Sequence, residues 1–207
     1  MSSILNRGFF EKPTLTVARQ LLSCNLVRII DGQKLAGRIV ETEAYIGPKD
    51  LASHASRGRT PRTEIMFGAA GRAYIYFIYG MYYCLNVVTA RTGFPAAVLV
   101  RAVEPVSSIK EMARNRHLPS ALYENPRQRD LFKLASGPGK LCQAFLIDKE
   151  LNGEDLTSSR RLFIEPGGKV GKSDIVATER IGVDYAADYK NKKWRFYLKN
   201  DAFVSKC

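Results

Sequence analysis

The sequence predicts an α+β fold in which antiparallel β-hairpins carry helices on their flanks, and three observations lead there. Runs of β-branched and aromatic residues come in pairs that meet at Asp31-Gly32 and at Tyr79-Gly80, where glycine supplies the positive φ that a tight hairpin turn demands. Helical periodicity is confined to short stretches between those runs,. No Pro-, Gly- or Ser-rich linker, repeat or low-complexity tract divides the 207 residues, so one domain spanning 1–207 is expected,.

In chain order, Pro13 to Leu22 carries apolar residues at 15, 18 and 22 and at 17 and 21, the spacing of a helix laid on a core, and Pro and Thr suit its first turn,. Asn25 to Ile30 and Leu35 to Tyr45 read as two strands of a hairpin,. Residues 46–73 form an extended connection with a short helical piece around Leu51 to Ser56. Its arginines, Arg57, Arg59, Arg62 and Arg72, suit either a solvated loop or phosphate contact,.

The stretch from Tyr74 to Asn86 is the most aromatic in the chain. Period-2 alternation puts Tyr74, Tyr76 and Ile78 on one face and Ile75, Phe77 and Tyr79 on the other, with Tyr79 near the tip,. A large aromatic is unusual there, because turn tips favour Gly, Asn, Asp or Ser and a Tyr ring gains most from burial. Either the rings form an ordinary sheet core or the hairpin displays a wedge.

Ala97 to Glu104 reads as a buried strand, apolar except for Arg101 and Glu104, and Ser107 to Arg116 as a helix,. Residues 117–135 are polar and charged and read as a mobile excursion. Ser136-Gly137-Pro138-Gly139-Lys140-Leu141 opens a helix through Phe145, a Gly-rich start that suggests a phosphate seat although it lacks a P-loop,. Arg161 to Ile164 and Trp194 to Lys199 look like closing strands.

Composition narrows the function classes. Lys plus Arg number 32 against 20 Asp plus Glu, a net charge of +12, which attracts polyanions such as nucleic acid or an anionic membrane surface. No run of some 18 apolar residues spans a bilayer and no signal-peptide core follows Met1, so a cytosolic location is expected,. Cys24, Cys84, Cys142 and Cys207 are widely spaced and far from His54 and His117, so reduced thiols, three of them in the core, are expected rather than a metal site,.

Two anomalies point to chemistry. Glu41, Glu43 and Tyr45 share one face of their strand, and an unpaired buried carboxylate is costly, so that face is either solvent or a cleft, with solvent the commoner case. Arg101, a guanidinium inside an apolar strand, needs a carboxylate partner that Glu41 or Glu43 could supply,. Such a pair is a structural ion pair or a device that holds a water beside a reacting carbon.

Several motifs in order, Gly37 to Pro48 with its Glu-Thr-Glu-Ala-Tyr core, His54, Thr60-Pro61-Arg62, Met66-Phe67, Cys84-Leu85-Asn86, Leu99 to Pro105 and Ser136 to Gln143, resemble the alkyladenine (3-methyladenine) DNA glycosylase family over roughly residues 9–206. The resemblance implies a curved antiparallel sheet flanked by helices, with the aromatic hairpin protruding into DNA. It implies that Glu43 is the general base for a water attacking C1′ of the deoxyribose, and that Arg101 and the backbone carbonyl of Ile181 help position that water. Tyr45, Tyr76 and His54 match the walls around the extruded base, and Asn86 the gate against the exocyclic amine of guanine. Tyr79, with Met81 beside it, matches the wedge that fills the vacated space.

The implied partner is double-stranded DNA with alkylated or deaminated purines, acted on by a monofunctional, nucleoid-associated monomer with no metal or organic cofactor. Arg57, Arg59, Arg62 and Lys140 are candidate phosphate contacts. The acidic residues of 183–193 depart from the family's pattern, and 117–135 holds no motif that can be placed. Two other readings stay open: a glycosylase and lyase using Lys140 as a Schiff base, and a non-catalytic binder of distorted nucleic acid, which the +12 charge serves equally well,.

Overall fold

The computed structural model describes residues 4–120, 124 and 128–205. Among the described residues eight antiparallel strands form one sheet: β1 (Asn25–Ile30), β2 (Gln33–Ile46), β3 (Ala73–Ile78), β4 (Tyr82–Val88), β5 (Ala96–Ser107), β6 (Leu162–Glu165), β7 (Ile175–Thr178) and β8 (Arg195–Leu198). The path runs β3-β4-β5-β2-β1-β6, while β8 pairs with β2 and carries β7. Strand β2 is the spine. One edge pairs with β5 from Ala36 to Ile46, and the other pairs first with β1 and then, at Glu41 to Glu43, with β8.

Register irregularities between Ala36 and Gly37 and on both sides of Glu41 mark where β2 and β5 lose step, and such bulges bend a strand and re-aim its side chains. Both expected turns occur: Asp31 and Gly32, with φ of 50° and 80°, form a two-residue loop between paired Ile30 and Gln33 whose twist matches its strands, and Tyr79 and Gly80, at 55° and 67°, lead a three-residue loop with Met81 between paired Ile78 and Tyr82,.

The main core packs α2 (Thr14–Gln20), through Val17 and Ala18, and α5 (Pro138–Ala144), through Leu141, Cys142 and Ala144, together with Ile39, Val40, Val100 and Val103 of the sheet. The structure also holds α1 (Arg7–Phe10), α3 (Ile109–Asn115) and α4 (Gln128–Ala135). Cys24, Cys84 and Cys142 are buried free thiols, as expected, and Cys207 lies outside the described residues.

One local expectation needs correction, and one strand was not foreseen. Part of the supposed mobile excursion, 128–135, is helix α4, whose Leu134 is buried and whose Leu131 and Phe132 pack on the core; with Arg129, Asp130 and Lys133 set among four apolar residues in a single short element, the stripe was too brief to read. The Gly-rich start of α5 is built for close packing. A Cβ on Gly139 would come within 2.8 Å of the Tyr82 ring, so the glycine lets the helix press on the aromatic hairpin. Strand β7 was missed because four residues paired only to β8 carry too little periodicity.

Candidate active site

The face of β2 bearing Glu41, Glu43 and Tyr45 is covered, not solvated: Glu41 and Glu43 are both 0% exposed. Burial on that scale requires partners, and they arrive from two distant segments and from β2 itself. Arg101 of β5 donates from Nε to Glu41 Oε1 at 3.0 Å, and its Nη1 lies 3.3 Å from Glu43 Oε1. The N–H of Ile181 donates to Glu43 Oε1 and the Tyr45 hydroxyl to Glu43 Oε2, both at 2.8 Å. Both candidate carboxylates therefore serve Arg101.

In front of this charged floor lies a cavity of about 260 Å³, lined by Tyr45, His54, Tyr74, Tyr76, Asn86, Arg101 and Ile181 among others. The alternation of β3 is as expected. Tyr74 and Tyr76 face the cavity, Ile75 enters the main core, and Phe77 stays half exposed against Tyr83. His54, at the start of a one-turn 3-10 helix (His54–Arg57), stands edge-on to Tyr76 with ring centroids 4.6 Å apart, and its Nδ1 is 2.8 Å from the Tyr74 hydroxyl. Asn86 is buried, with Nδ2 donating to the carbonyls of Tyr74 and Cys84 at 3.1 and 3.4 Å, which fixes the orientation of the amide.

Burial, then Arg62 and Arg57, push the His54 imidazole down from 6.5 to about 4, so it is neutral at physiological pH. Burial raises the Tyr45 and Tyr76 phenols far above their usual range, helped at Tyr45 by the Glu43 carboxylate. The sign for stability follows for His54. Between about pH 6.5 and pH 4 the unfolded chain binds a proton that the folded one refuses, so stability falls as pH falls through that window,. His54→Asn should flatten this acid-side loss, read as the change in urea midpoint between pH 7 and pH 4.5. An unchanged pH dependence would show the imidazole is not held neutral.

The turn between β3 and β4 puts Tyr79 at 78% and Met81 at 61% exposure, both rare for such residues,. Of the proposed phosphate contacts, Arg57, Arg59, Arg62 and Lys140 are all exposed. Arg59 pairs with Glu64 at 3.1 Å, and Arg62 lies over the Tyr76 ring at 5.3 Å. At the α5 end of the cavity the lining residues are Pro138 and Gly139, with Lys140 outside the lining.

Several residues of the site escaped the sequence reading. Arg195 of β8 donates to Glu41 Oε1 at 2.6 Å, and the N–H of Ser205 to Glu41 Oε2 at 2.8 Å. Arg180, next to Ile181, is clamped by Asp50 at 2.6 and 2.8 Å and lies over the rings of Tyr45 and Trp194. Tyr185, 70% exposed, lines the cavity from the 183–193 segment, whose Val183 and Ala186 are buried with Ala52. One signal was available: Arg195, like Arg101, is a guanidinium within a strand pattern.

A model of the methylpurine-DNA glycosylase (MPG) family matches residues 8–202. The chain belongs to that family. Among its relatives, a protein of Methanocella arvoryzae is 51% identical over 98% of this chain and 96% of its own length. One from Desulfitobacterium hafniense is 48% identical over 97% and 98%, and one from Alkaliphilus oremlandii 47% over 98% of each. All three bear the provisional name 3-methyladenine DNA glycosylase. As a methylpurine-DNA glycosylase family member the chain is a hydrolytic enzyme of DNA repair, and its charge of +12 suits a polyanionic substrate,. Among the described residues no helix is long and apolar enough to cross a membrane.

Proposed function

We propose that the enzyme flips alkylated or deaminated purines, of the 3-methyladenine and hypoxanthine type, out of duplex DNA and hydrolyses their N-glycosidic bond, with Glu43 as general base. One observation carries this reading: a buried carboxylate, held by Arg101, Tyr45 and Ile181, backs a cavity walled by aromatic rings. Hydrogen bonds take two of the roughly four acceptor positions of Glu43 and the Arg101 Nη1 ion pair lies 3.3 Å from Oε1, which leaves an acceptor position for a water,. That water attacks C1′ and gives a proton to Glu43, and the glycosidic electron pair leaves with the purine.

The sugar passes through an oxocarbenium-like state, which an adjacent carboxylate stabilises. Arg101 and the carbonyl of Ile181 orient the water, and Asn86 rejects purines bearing the guanine amine. Tyr45, Tyr76 and neutral His54 stack around the base, and electron-rich rings favour a cationic purine. Flipping costs a few kcal/mol, and Tyr79, with Met81, compensates by filling the gap. The enzyme acts as a monomer with Arg57, Arg59, Arg62 and Lys140 near the phosphates.

Incubation with duplexes bearing one hypoxanthine, or with methylated DNA, followed by alkali cleavage, tests the assignment; intact strands at every enzyme concentration would refute it. Tyr79→Ala should weaken binding to a lesion duplex by about tenfold while reducing excision of a base opposite a gap, already short of stacking partners, much less. Equal losses on both substrates would remove the wedge.

A further inference from the structure

The floor of the cavity contains more charge than the proposed chemistry uses. Glu43 and Arg101 have roles in that chemistry, while Glu41 and Arg195 have none there and are buried to the same degree, at 0% and 8% exposure; of the four only Arg101 lines the cavity. Glu41 Oε1 accepts from Arg101 Nε and Arg195 Nε at 3.0 and 2.6 Å, and Oε2 from the N–H of Ser205 at 2.8 Å. Arg195 Nη2 in turn donates to the carbonyl of Ser205 at 3.3 Å. Two carboxylates and two guanidinium groups therefore sum to zero charge beneath the aromatic walls. The other polar groups facing this floor, the Cys84 thiol and the Tyr45 and Tyr76 phenols, are neutral, Cys84 because burial lifts it to about 11.

The geometry also divides Arg101 between two acids. Its Nε is held on Glu41, so that only Nη1 reaches Glu43, at the longer 3.3 Å. Without Glu41 the guanidinium would be free to form a full two-pronged pair with Glu43 and occupy the acceptor position a water needs.

We propose that Glu41, locked by Arg195 and Ser205, is a positioning residue that holds Arg101 back from Glu43 and neutralises the floor, so that a positively charged purine is accepted above it. This rests on the glycosylase reading above and adds how the site admits a cation next to two arginines. The physical consequence differs between lesions. A nucleotide with a cationic purine carries one positive charge throughout, on the base when bound and passing to the sugar in the transition state, so a change in floor charge alters its binding. A neutral purine binds uncharged and takes up a proton from solvent only on the way to the transition state, so the same change alters its limiting rate.

Single-turnover excision with enzyme in excess separates the two, using methylated duplex with chromatographic reading of released 3-methyladenine, and duplex bearing hypoxanthine. Glu41→Gln, whose amide oxygen still accepts from Arg101 Nε, removes the charge without releasing Arg101; it should raise the half-saturating enzyme concentration for 3-methyladenine by about tenfold with its limiting rate kept, and lower the limiting rate for hypoxanthine by about tenfold with half-saturation kept. Arg195→Gln should move both quantities the opposite way, and the double variant, whose floor is neutral again, should return them toward wild type. Arg195→Lys, which keeps the charge, should leave the split unmoved.

Losses that are proportional for both lesions, or a double variant worse than either single one, would reduce the cluster to scaffolding and overturn the proposal. If Glu41→Gln fails to fold by thermal melting, the sign of the Arg195→Gln shift decides alone. A wild-type protein that releases neither base sinks the glycosylase reading itself, a result distinct from proportional losses in an active enzyme.

Discussion

Glu43→Gln should lower purine release by about a thousandfold, the range expected for loss of a general base, while leaving affinity for a duplex bearing the neutral lesion hypoxanthine within about twofold. The substitution keeps the size of the side chain and an acceptor oxygen for the N–H of Ile181, which lies 2.8 Å from the carboxylate, so the local structure has little reason to collapse. What disappears is the ability to take a proton from water and the negative charge facing an oxocarbenium-like sugar. Single-turnover release from a hypoxanthine duplex, together with an electrophoretic shift on the same duplex, reads the two quantities separately. Release at the wild-type rate with binding intact would mean that another group is the base.

The second large effect concerns stability. Asp50→Ala should destabilise the fold by about 3–5 kcal/mol, because it leaves the Arg180 guanidinium, whose side chain is 0% exposed, without its carboxylate. The loss is compounded by two backbone groups, since Asp50 also accepts from the N–H groups of Ile46 and Ala52 at 3.0 and 3.1 Å. For a chain of this size each kcal/mol shifts the melting midpoint by about 2–4 °C, so a fall of about 10 °C is expected in a thermal melt. A fall of less than about 2 °C would show that water enters and solvates Arg180.

Activity should suffer before unfolding does. Arg180 also donates to the carbonyls of Ala44 and Tyr189, at 2.9 and 3.2 Å, and so anchors the segment that brings Ile181 to Glu43. Loss of excision well below the melting temperature is the expected accompaniment.

Much of the architecture was legible because it is local. The two hairpins announce themselves by turns that require positive φ, at Asp31-Gly32 and Tyr79-Gly80, and by period-2 patterning on either side. The helix at 14–20 followed from a short apolar stripe and that at 138–144 from its Gly-Pro-Gly start. Helix α4 and strand β7 did not, being eight and four residues long with stability drawn from what they pack on,.

The division within the site has the same origin. Alternation along β2 determined that Glu41, Glu43 and Tyr45 look the same way, and the chemistry of Arg101 determined that a carboxylate must meet it; both follow from the covalent chain and its pleat. Whether that face is wet or dry was not a property of the strand. It was decided by groups 138 and 164 positions further along, the N–H of Ile181 on Glu43 and that of Ser205 on Glu41, and by the bulges around Glu41 that bend β2 beneath them. Periodicity reports which way a side chain points. The cover above it is long-range packing, and only the closed tertiary fold turns two surface-like glutamates into a buried, charge-balanced floor.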